Sequence, residues 1–345
     1  MTRKSRAGIW KLVAVAAVTF AGTAAAQDIK LTFADQNSPT AWGPTNALQP
    51  WVKQAEAATN GKVKFEVYPS QTLVKGPDMW KAVRSGVADV GWCFQGYWPE
   101  MTPLSDVIAL PGLPIPSAQK GSEVLWKLYE KFPAIRKEYS EIHPILFYTG
   151  NPYFLLTSKK QVKTLEDLKG MKIRVTGGPP TEQMKALGAI PTPIPMPDVY
   201  QALDKGVIDG MGAPWEAVQG FRLYEVAKYY TMVPLATVYF SICANKQKWE
   251  SLPQDVRASI MKVGGLEGSK FWGKNFFDTA EQSVIEKTKA GKFEMNKYNL
   301  PADELARWAK VGGADAQDNW VKKLEGKGVK EAREVLNSTI EMLKN

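Results

Sequence analysis

An arginine stands within a short strand-like run, where a charged side chain is costly unless an anion pairs with it. The run is Lys172-Ile173-Arg174-Val175, and no acidic residue lies within four positions of Arg174. Its partner must therefore come from elsewhere in the fold or from a ligand. The planar guanidinium group matches a carboxylate through two parallel hydrogen bonds. The pattern indicates a protein that captures small organic acids.

The residue patterns that most enzymes need are scarce. His143 is the single histidine and precedes a proline at the start of a strand-like run, so we expect a structural role for it. The sequence contains no nucleophile elbow, no zinc-binding H-E-x-x-H, no phosphate-binding loop and no EF-hand loop. We therefore expect no catalytic residues, no metal site and no cofactor, which disfavours an exported lyase or hydrolase.

Strand-like and helix-like segments alternate along most of the chain and must position this arginine. Strands are expected at 29–34, 62–68, 86–94, 144–148, 153–157, 172–175, 190–194 and 208–213, with one or two more over 229–244. From Pro253 onward the pattern is helical, with breaks near Gly291 and Gly326. The alternation predicts α/β lobes with largely parallel strand pairing. The length favours two lobes over one.

The first 26 residues have the character of a secretory signal. Four basic residues precede or border an apolar stretch at 12–21, and Ala24-Ala25-Ala26 offers an A-x-A cleavage site. The stretch is too short to span a bilayer, although a retained anchor is the alternative. We expect export to the bacterial periplasm. The rest of the chain has 40 basic and 35 acidic residues, interspersed, so no nucleic-acid partner is expected.

The chain has two cysteines, Cys93 and Cys243, each in a strand-like run. An oxidising compartment would permit a bridge between them. Because disulfide geometry is demanding, we expect two buried free thiols, and the bridge is the open alternative.

Two longer motifs carry a family resemblance. They are TLEDLKGMKIRV at 164–175 and YQALDKGVIDG at 200–210, supported by GVADVG at 86–91 and NKQKWESLP at 245–253. In this order, after a signal segment, the chain resembles the dicarboxylate-binding type of solute-binding protein from tripartite ATP-independent periplasmic (TRAP) transporters. The resemblance covers the whole chain after the leader.

The resemblance implies a two-lobed α/β periplasmic binding protein fold with a ligand cleft between the lobes, crossing strands and a long hinge-spanning helix. Lobe one is expected at 27–151 plus about 238–278, and lobe two at 152–237 plus about 279–345. The resemblance also implies delivery of a small organic acid to a TRAP permease, and it places the ligand carboxylate on Arg174. A monomer is the default for this class.

Two departures from the family pattern suggest the ligand class. Members that bind sialic acid have a second arginine where this chain has Phe154, and many members have an asparagine where it has Ala213, before Pro214-Trp215. Polar groups of a hydroxylated ligand would be left unpaired there, whereas an aromatic body would gain from ring burial. We therefore predict a monocarboxylate with an apolar or aromatic body.

Further contacts are proposed on weaker grounds. Trp92 and Phe94 share one face at the end of a lobe-one strand, where open α/β sheets bind ligands, or they fill the core. Asn37, in the loop after the first strand, bonds a ligand or builds a turn. Tyr239, where the chain returns to lobe one, contacts ligand or packs at the hinge. Alternative functions are a ligand-presenting sensor module of the same fold, or a binder of a 2-oxo acid or diacid.

Overall fold

The computed structural model describes residues 28–345, so the predicted signal segment lies outside the described part of the chain. The strands described are β1 Ile29–Ala34, β2 Val63–Tyr68, β3 Val90–Phe94, β4 Ile142–Thr149, β5 Tyr153–Thr157, β6 Lys172–Val175, β7 Ile190–Pro193, β8 Gly210–Ala213, β9 Tyr229–Leu235, β10 Tyr239–Asn245 and β11 Asn296–Asn299.

The helices alternate with these strands and then dominate the last hundred residues. They are α1 Gln49–Ala58, α2 Met79–Ser85, α3 Ala118–Lys131, α4 Pro133–Glu138, α5 Leu165–Leu168, α6 Pro179–Ala186, α7 Val199–Asp204, α8 Trp215–Gly220, α9 Lys246–Ser251, α10 Gln254–Val263, α11 Gly265–Trp272, α12 Ala280–Ala290, α13 Ala302–Gly313, α14 Ala316–Gly326 and α15 Ala332–Lys344. No helix within 28–345 has both the length and the apolar character needed to cross a bilayer.

The strands form two sheets, one in each lobe. The sheet of lobe one has the order β2-β1-β3-β10-β4, and the sheet of lobe two has the order β11-β9-β5-β8-β6-β7. The expectation of largely parallel pairing is wrong for one inner strand of each sheet, because β10 and β5 run antiparallel to both of their neighbours. Each of these two strands begins just after the chain crosses from the other lobe.

A long helical stretch also joins the lobes. The helix α11 packs on α3 and β4 of lobe one, and α12 packs on α8 of lobe two. Between them lies a π-helical segment, Gly273–Asp278. The carboxylate of Asp278 accepts hydrogen bonds from the backbone of Ala118 at 2.8 Å and Gln119 at 3.0 Å, at the start of α3. The crossing strands and the hinge-spanning helix are therefore present as expected.

The last two helices pack on lobe one, which corrects the expected boundary of lobe two. The helix α15 contacts α3, and α14 contacts α15. Trp320 of α14 donates a hydrogen bond to the carbonyl of Pro103 at 3.2 Å, and Lys131 of α3 donates one to Ser338 of α15 at 2.9 Å. Residues after about 313 therefore belong with lobe one, because their apolar faces complete its core rather than that of lobe two.

Cys93 and Cys243 form a disulfide bond, so the expectation of two free thiols is wrong. The sequence separates them by 150 residues, but the antiparallel pairing of β3 with β10 sets Cys93 opposite Ser241 and Gly91 opposite Cys243. The two cysteines are therefore diagonal neighbours on one face of the sheet, with Cα atoms 6.5 Å apart, within the range that a disulfide spans.

Candidate functional site

The main cavity lies between the lobes and contains about 410 Å³ of empty space, part of it open to solvent. Its walls come from strand ends, from the loop after β1, from α8 and from the π-helical segment. The residues that line it are Gln36, Asn37, Trp92, Phe94, Tyr153, Arg174, Met196, Met211, Pro214, Glu216, Ala217, Phe221, Phe240, Phe276 and Phe277. Of the predicted site residues, it brings together Arg174, Trp92, Phe94 and Asn37.

Arg174 is the cationic residue of this cavity. Its position on β6 is fixed by parallel pairing with β8, where it lies opposite Met211, and its side chain is only 4% exposed. The Nε atom donates a hydrogen bond to the carbonyl of Ile194 at 2.9 Å, whereas Nη2 is buried without a partner among the described residues. Burial lowers the pKa of the guanidinium, and the nearby hydroxyls of Tyr97 and Tyr153 oppose that shift. The site thus holds a desolvated cation with unused hydrogen-bond donors.

A side cavity of about 290 Å³ shares Arg174 and Tyr153 with the main cavity. Its other walls are mainly apolar and belong to β6, α6 and the crossover between β9 and β10. Gln183 of α6 lines it and accepts a hydrogen bond from the backbone of Ala236 at 2.8 Å. Arg174 therefore stands where the two cavities meet.

Aromatic rings form the wall of the main cavity on lobe one. Phe240 of β10 is central, with its ring centroid 5.0 Å from that of Trp92 and 4.8 Å from that of Phe94. The π-helical segment adds Phe276 and Phe277, whose rings are 4.9 Å apart. The indole N–H of Trp92 donates to the hydroxyl of Tyr148, so this ring presents carbon to the cavity. The wall is suited to a planar apolar body.

Acidic and amide groups lie in another part of the same site. Glu216 of α8 is 5% exposed and its Oε1 has no partner among the described residues. Burial raises the pKa of Glu216 to about 8, against a hydrogen bond from the Gly43 backbone that lowers it, and the nearby Asp35 raises it further. Asp35 accepts a hydrogen bond from Nδ2 of Asn37 at 2.8 Å.

Phe154, Ala213 and Trp215 are absent from the walls of both cavities, so neither cavity supports the ligand contacts predicted for them, which stay predictions. Phe154 and Ala213 face each other across β5 and β8 in the apolar core of lobe two. The Phe154 ring lies 4.3 Å from that of Trp215, which stacks on Tyr230 at 5.5 Å. The helix α8 covers this face, so these rings hold the helix in place.

Tyr239 also lines neither cavity, which favours its packing alternative over the predicted ligand contact. Its hydroxyl is 2.7 Å from that of Thr102 and donates to Asp106 at 2.8 Å. His143 stacks on Trp249 with ring centroids 4.3 Å apart, and burial lowers its pKa to about 4. Among residues 28–345 no cluster of three metal-ligating side chains occurs.

Sequence reasoning missed several wall residues. Tyr153 lines both cavities one position before Phe154, and strand alternation points neighbouring side chains to opposite faces. The pair Phe276-Phe277 could have been noticed as two bulky rings in a helix expected to span the hinge. Glu216 gave a fainter signal, an acidic residue in the first turn of a helix, which usually reflects the helix dipole.

Polar contacts at the edge of the cleft, which we call the rim, join the two lobes. The backbone N–H of Gly177 donates to the carbonyl of Gly96 at 3.1 Å, and that of Met196 donates to the hydroxyl of Tyr97 at 3.1 Å. On the other side, the backbone N–H of Trp42 donates to Oε1 of Gln219 at 2.9 Å. The structure therefore represents the closed form of the cleft.

Comparisons with known proteins agree with this architecture. The family described as bacterial extracellular solute-binding protein, family 7, matches residues 34–323. The C4-dicarboxylate-binding periplasmic protein DctP of Rhodobacter capsulatus is 28% identical over 263 residues, which cover 74% of this chain and 76% of that protein.

Two solved structures superpose closely on the chain. A TRAP solute-binding protein from Rhodoferax ferrireducens, in complex with copurified benzoate, is 26% identical with a TM-score of 0.85. A TRAP solute-binding protein from a marine metagenome, specific for aromatic acid ligands and crystallised with 3-hydroxybenzoate, is 28% identical with a TM-score of 0.86. Each comparison covers 92% of this chain and 98% of the other. This chain belongs to family 7 of the bacterial extracellular solute-binding proteins, the solute-binding proteins of TRAP transporters.

Proposed function

We propose that this protein captures an aromatic monocarboxylate in the periplasm and delivers it to a TRAP permease. TRAP solute-binding proteins bind small organic acids and work with such permeases. The observation that carries the proposal is the buried guanidinium of Arg174, whose free Nη2 stands beside a cavity walled by aromatic rings. A carboxylate on Arg174 would satisfy that group, and a ring would fill the apolar wall.

The charges around the cavity favour one carboxylate over two. Among residues 28–345, Arg174 is the one basic residue in the wall of the main cavity, and Glu216 lies in the same wall. A second carboxylate would therefore meet apolar rings or another acid, and a buried unpaired charge is strongly unfavourable. Two related proteins with solved structures were obtained with benzoate and 3-hydroxybenzoate, each of which is an aromatic ring with a single carboxylate.

Isothermal titration of the purified protein with benzoate, phenylacetate, succinate and gluconate tests the proposal. We expect micromolar or tighter binding of the aromatic acids and little binding of the others. Binding of succinate or gluconate without benzoate or phenylacetate would show that the ligand class is wrong.

Replacement of Arg174 tests its role. Arg174→Ala should weaken binding of the aromatic acid by about 2–5 kcal/mol, because the carboxylate would be buried without a partner. The affinity of Arg174→Lys should lie between those of the wild type and Arg174→Ala, since lysine keeps the positive charge and loses the two parallel hydrogen bonds of the guanidinium group. Arg307→Ala removes an exposed arginine that pairs with Glu166 at 2.6 Å and serves as the control. Equal affinities for all four proteins would remove Arg174 from the site.

A further inference from the structure

The carboxyl group of Glu216 accepts a hydrogen bond from the Gly43 backbone, but this contact leaves one of its two oxygens without a partner in the described part of the chain. It is 5% exposed, its Oε1 has no hydrogen-bond partner among residues 28–345, and it lines the main cavity together with Arg174. A buried acceptor without a partner is energetically unfavourable. Such a group is retained where something outside the chain completes its hydrogen bonds.

The neighbouring groups make this region rich in acceptors. Asp35, in the loop after β1, is 1% exposed and close enough to Glu216 to raise its pKa. The Oδ1 of Asp35 accepts hydrogen bonds from the backbone and the side chain of Asn37, whereas its Oδ2 has no partner among the described residues. Because the Nδ2 of Asn37 is turned toward Asp35, its amide is oriented by lobe one, and Asn37 lines the cavity beside Glu216.

The cation and the acids serve different parts of the ligand. The side chain of Arg174 bonds to the carbonyl of Ile194, and its electrostatic neighbours are the hydroxyls of Tyr97 and Tyr153 rather than a carboxylate. Glu216 instead interacts with the Gly43 backbone and with Asp35. The cavity therefore has a hydrogen-bond donor, Arg174, which we call the donor pole, and a hydrogen-bond acceptor, Glu216, which we call the acceptor pole. Aromatic rings make up much of the remaining wall.

We infer that Glu216, together with the amide of Asn37, binds a hydrogen-bond donor carried by the ring of the ligand, so that the ligand is an aromatic acid with a hydroxyl or amino substituent. This inference rests on the proposed function, because it presupposes a carboxylate on Arg174. Glu216 belongs to lobe two and Asn37 to lobe one, so such a substituent would be held from both lobes. A ligand held from both lobes favours the closed form.

The test compares benzoate with ring-substituted analogues in titrations of the purified protein at pH 8.5, where the Glu216 carboxyl, with its pKa of about 8, is mostly ionised and accepts hydrogen bonds without donating one. The 3- and 4-hydroxybenzoates and the 3- and 4-aminobenzoates supply a donor, and the matching methoxybenzoates supply only an acceptor. We expect at least one donor-bearing acid to bind about 5- to 100-fold more tightly than benzoate, and its methoxy counterpart to lose that gain. Whether the hydroxyl or the amino series gains more distinguishes the two forms of the substituent.

Variants of Glu216 show whether this residue is responsible. Glu216→Gln keeps the shape and an acceptor oxygen, and Glu216→Leu removes the acceptor. The ratio of donor-acid affinity to benzoate affinity should fall in Glu216→Gln and approach one in Glu216→Leu. Glu182→Gln, an exposed glutamate of α6, should keep the wild-type ratio.

The outcomes separate this inference from the proposed function. Two results would overturn the role of Glu216 as acceptor and leave the aromatic-acid proposal standing. One is benzoate binding with no increase in affinity from any donor substituent. The other is an unchanged ratio of donor-acid affinity to benzoate affinity in both Glu216 variants. Failure of every aromatic acid to bind would overturn both. If Glu216→Leu does not fold, the ratio in Glu216→Gln decides alone.

Discussion

Buried carboxyls give the free protein a characteristic response to pH, and the two of the cleft, Asp35 and Glu216, act together with Asp106 and Glu138 of lobe one, whose pKa values burial raises to about 7. Burial raises the pKa of Asp35 to about 7 and of Glu216 to about 8, from ordinary values of 3.8 and 4.5. The folded chain therefore binds more protons than the unfolded chain at intermediate pH, and stability falls as the pH rises through this window. His143 has a lowered pKa of about 4 and opposes the trend only below its ordinary value of 6.5.

The clean range for a measurement is therefore pH 6.5 to 8.5. We expect the free energy of unfolding of the ligand-free protein to decrease over this range, by up to about 1.4 kcal/mol per pH unit for each proton involved. Glu216→Gln should flatten the slope in urea titrations. Glu166→Gln, whose native carboxyl has a pKa lowered to about 2 by Arg307, should leave the slope unchanged. A slope of the opposite sign would contradict the assignment of buried carboxyls.

At the scale of residues, sequence alone could identify the charged anchor, Arg174, and a few of its neighbours in the cavity wall, Asn37, Trp92 and Phe94. Arg174 was predictable because a charge within a β-branched run has few explanations. Phe154 and Tyr153 differ by one position, and the motif did not show which of them faces the cleft. Glu216 could not be recognised, since its neighbours Asp35 and Gly43 lie more than 170 positions away in sequence.

At the scale of elements, the disulfide links two neighbouring inner strands of the lobe-one sheet. It connects β3 with β10 across a separation of 150 residues, and cross-links over long loops restrict the unfolded chain most. The double variant Cys93→Ala/Cys243→Ala should lose about 2–4 kcal/mol of unfolding free energy. Urea titration with and without a thiol reductant measures this loss.

The reductant should destabilise the wild-type protein and leave the double variant unaffected. Thiol titration of the denatured, non-reduced wild-type protein independently counts the free cysteine thiols. Two reactive thiols in that assay would contradict the bridge.

Sequence patterns located most strands and failed where pairing depends on the whole fold. The bounds of β1, β5 and β6 match their predicted ranges, because each has a distinct apolar pattern. The short edge strand β11 is mostly exposed and has no such pattern, so it was not expected. The antiparallel direction of β5 and β10 follows from the crossings between lobes, which local patterns do not record.

At the scale of the whole molecule, closure depends on few polar contacts at the rim. Oε1 of Gln219, on lobe two, accepts a hydrogen bond from the backbone of Trp42, on lobe one, and Gln219 does not line either cavity. Gln219→Ala should therefore weaken ligand binding about two- to tenfold through the closed state alone. The dissociation rate should rise and the ligand-free protein should show a larger radius of gyration by X-ray scattering.

Gln282→Ala is the matched control, because the side chain of this lobe-two glutamine bonds to Glu286 on its own helix and to no other residue in the described part of the chain. Equal affinity and equal scattering for Gln219→Ala and the wild type would show that the rim contact does not hold the lobes together.

The two-lobed plan could be predicted from the order of motifs, but the path of the last thirty residues could not. An amphipathic helix reveals that it has an apolar face and not which core receives it. Both α13 and α15 are amphipathic, with one apolar face each. However, α13 packs on α5 and α6, whereas α15 packs on α3.

The place of β10 within its sheet has a consequence for the timing of folding. This strand lies between β3 and β4 but is synthesised about ninety residues after β4, when the chain has already passed through lobe two. Until residue 245 has been made, β3 and β4 lack their shared neighbour, and the helices after it are also needed to cover the core. Contacts this distant in sequence form slowly. The sheet of lobe one therefore cannot be completed until late in the synthesis of the chain.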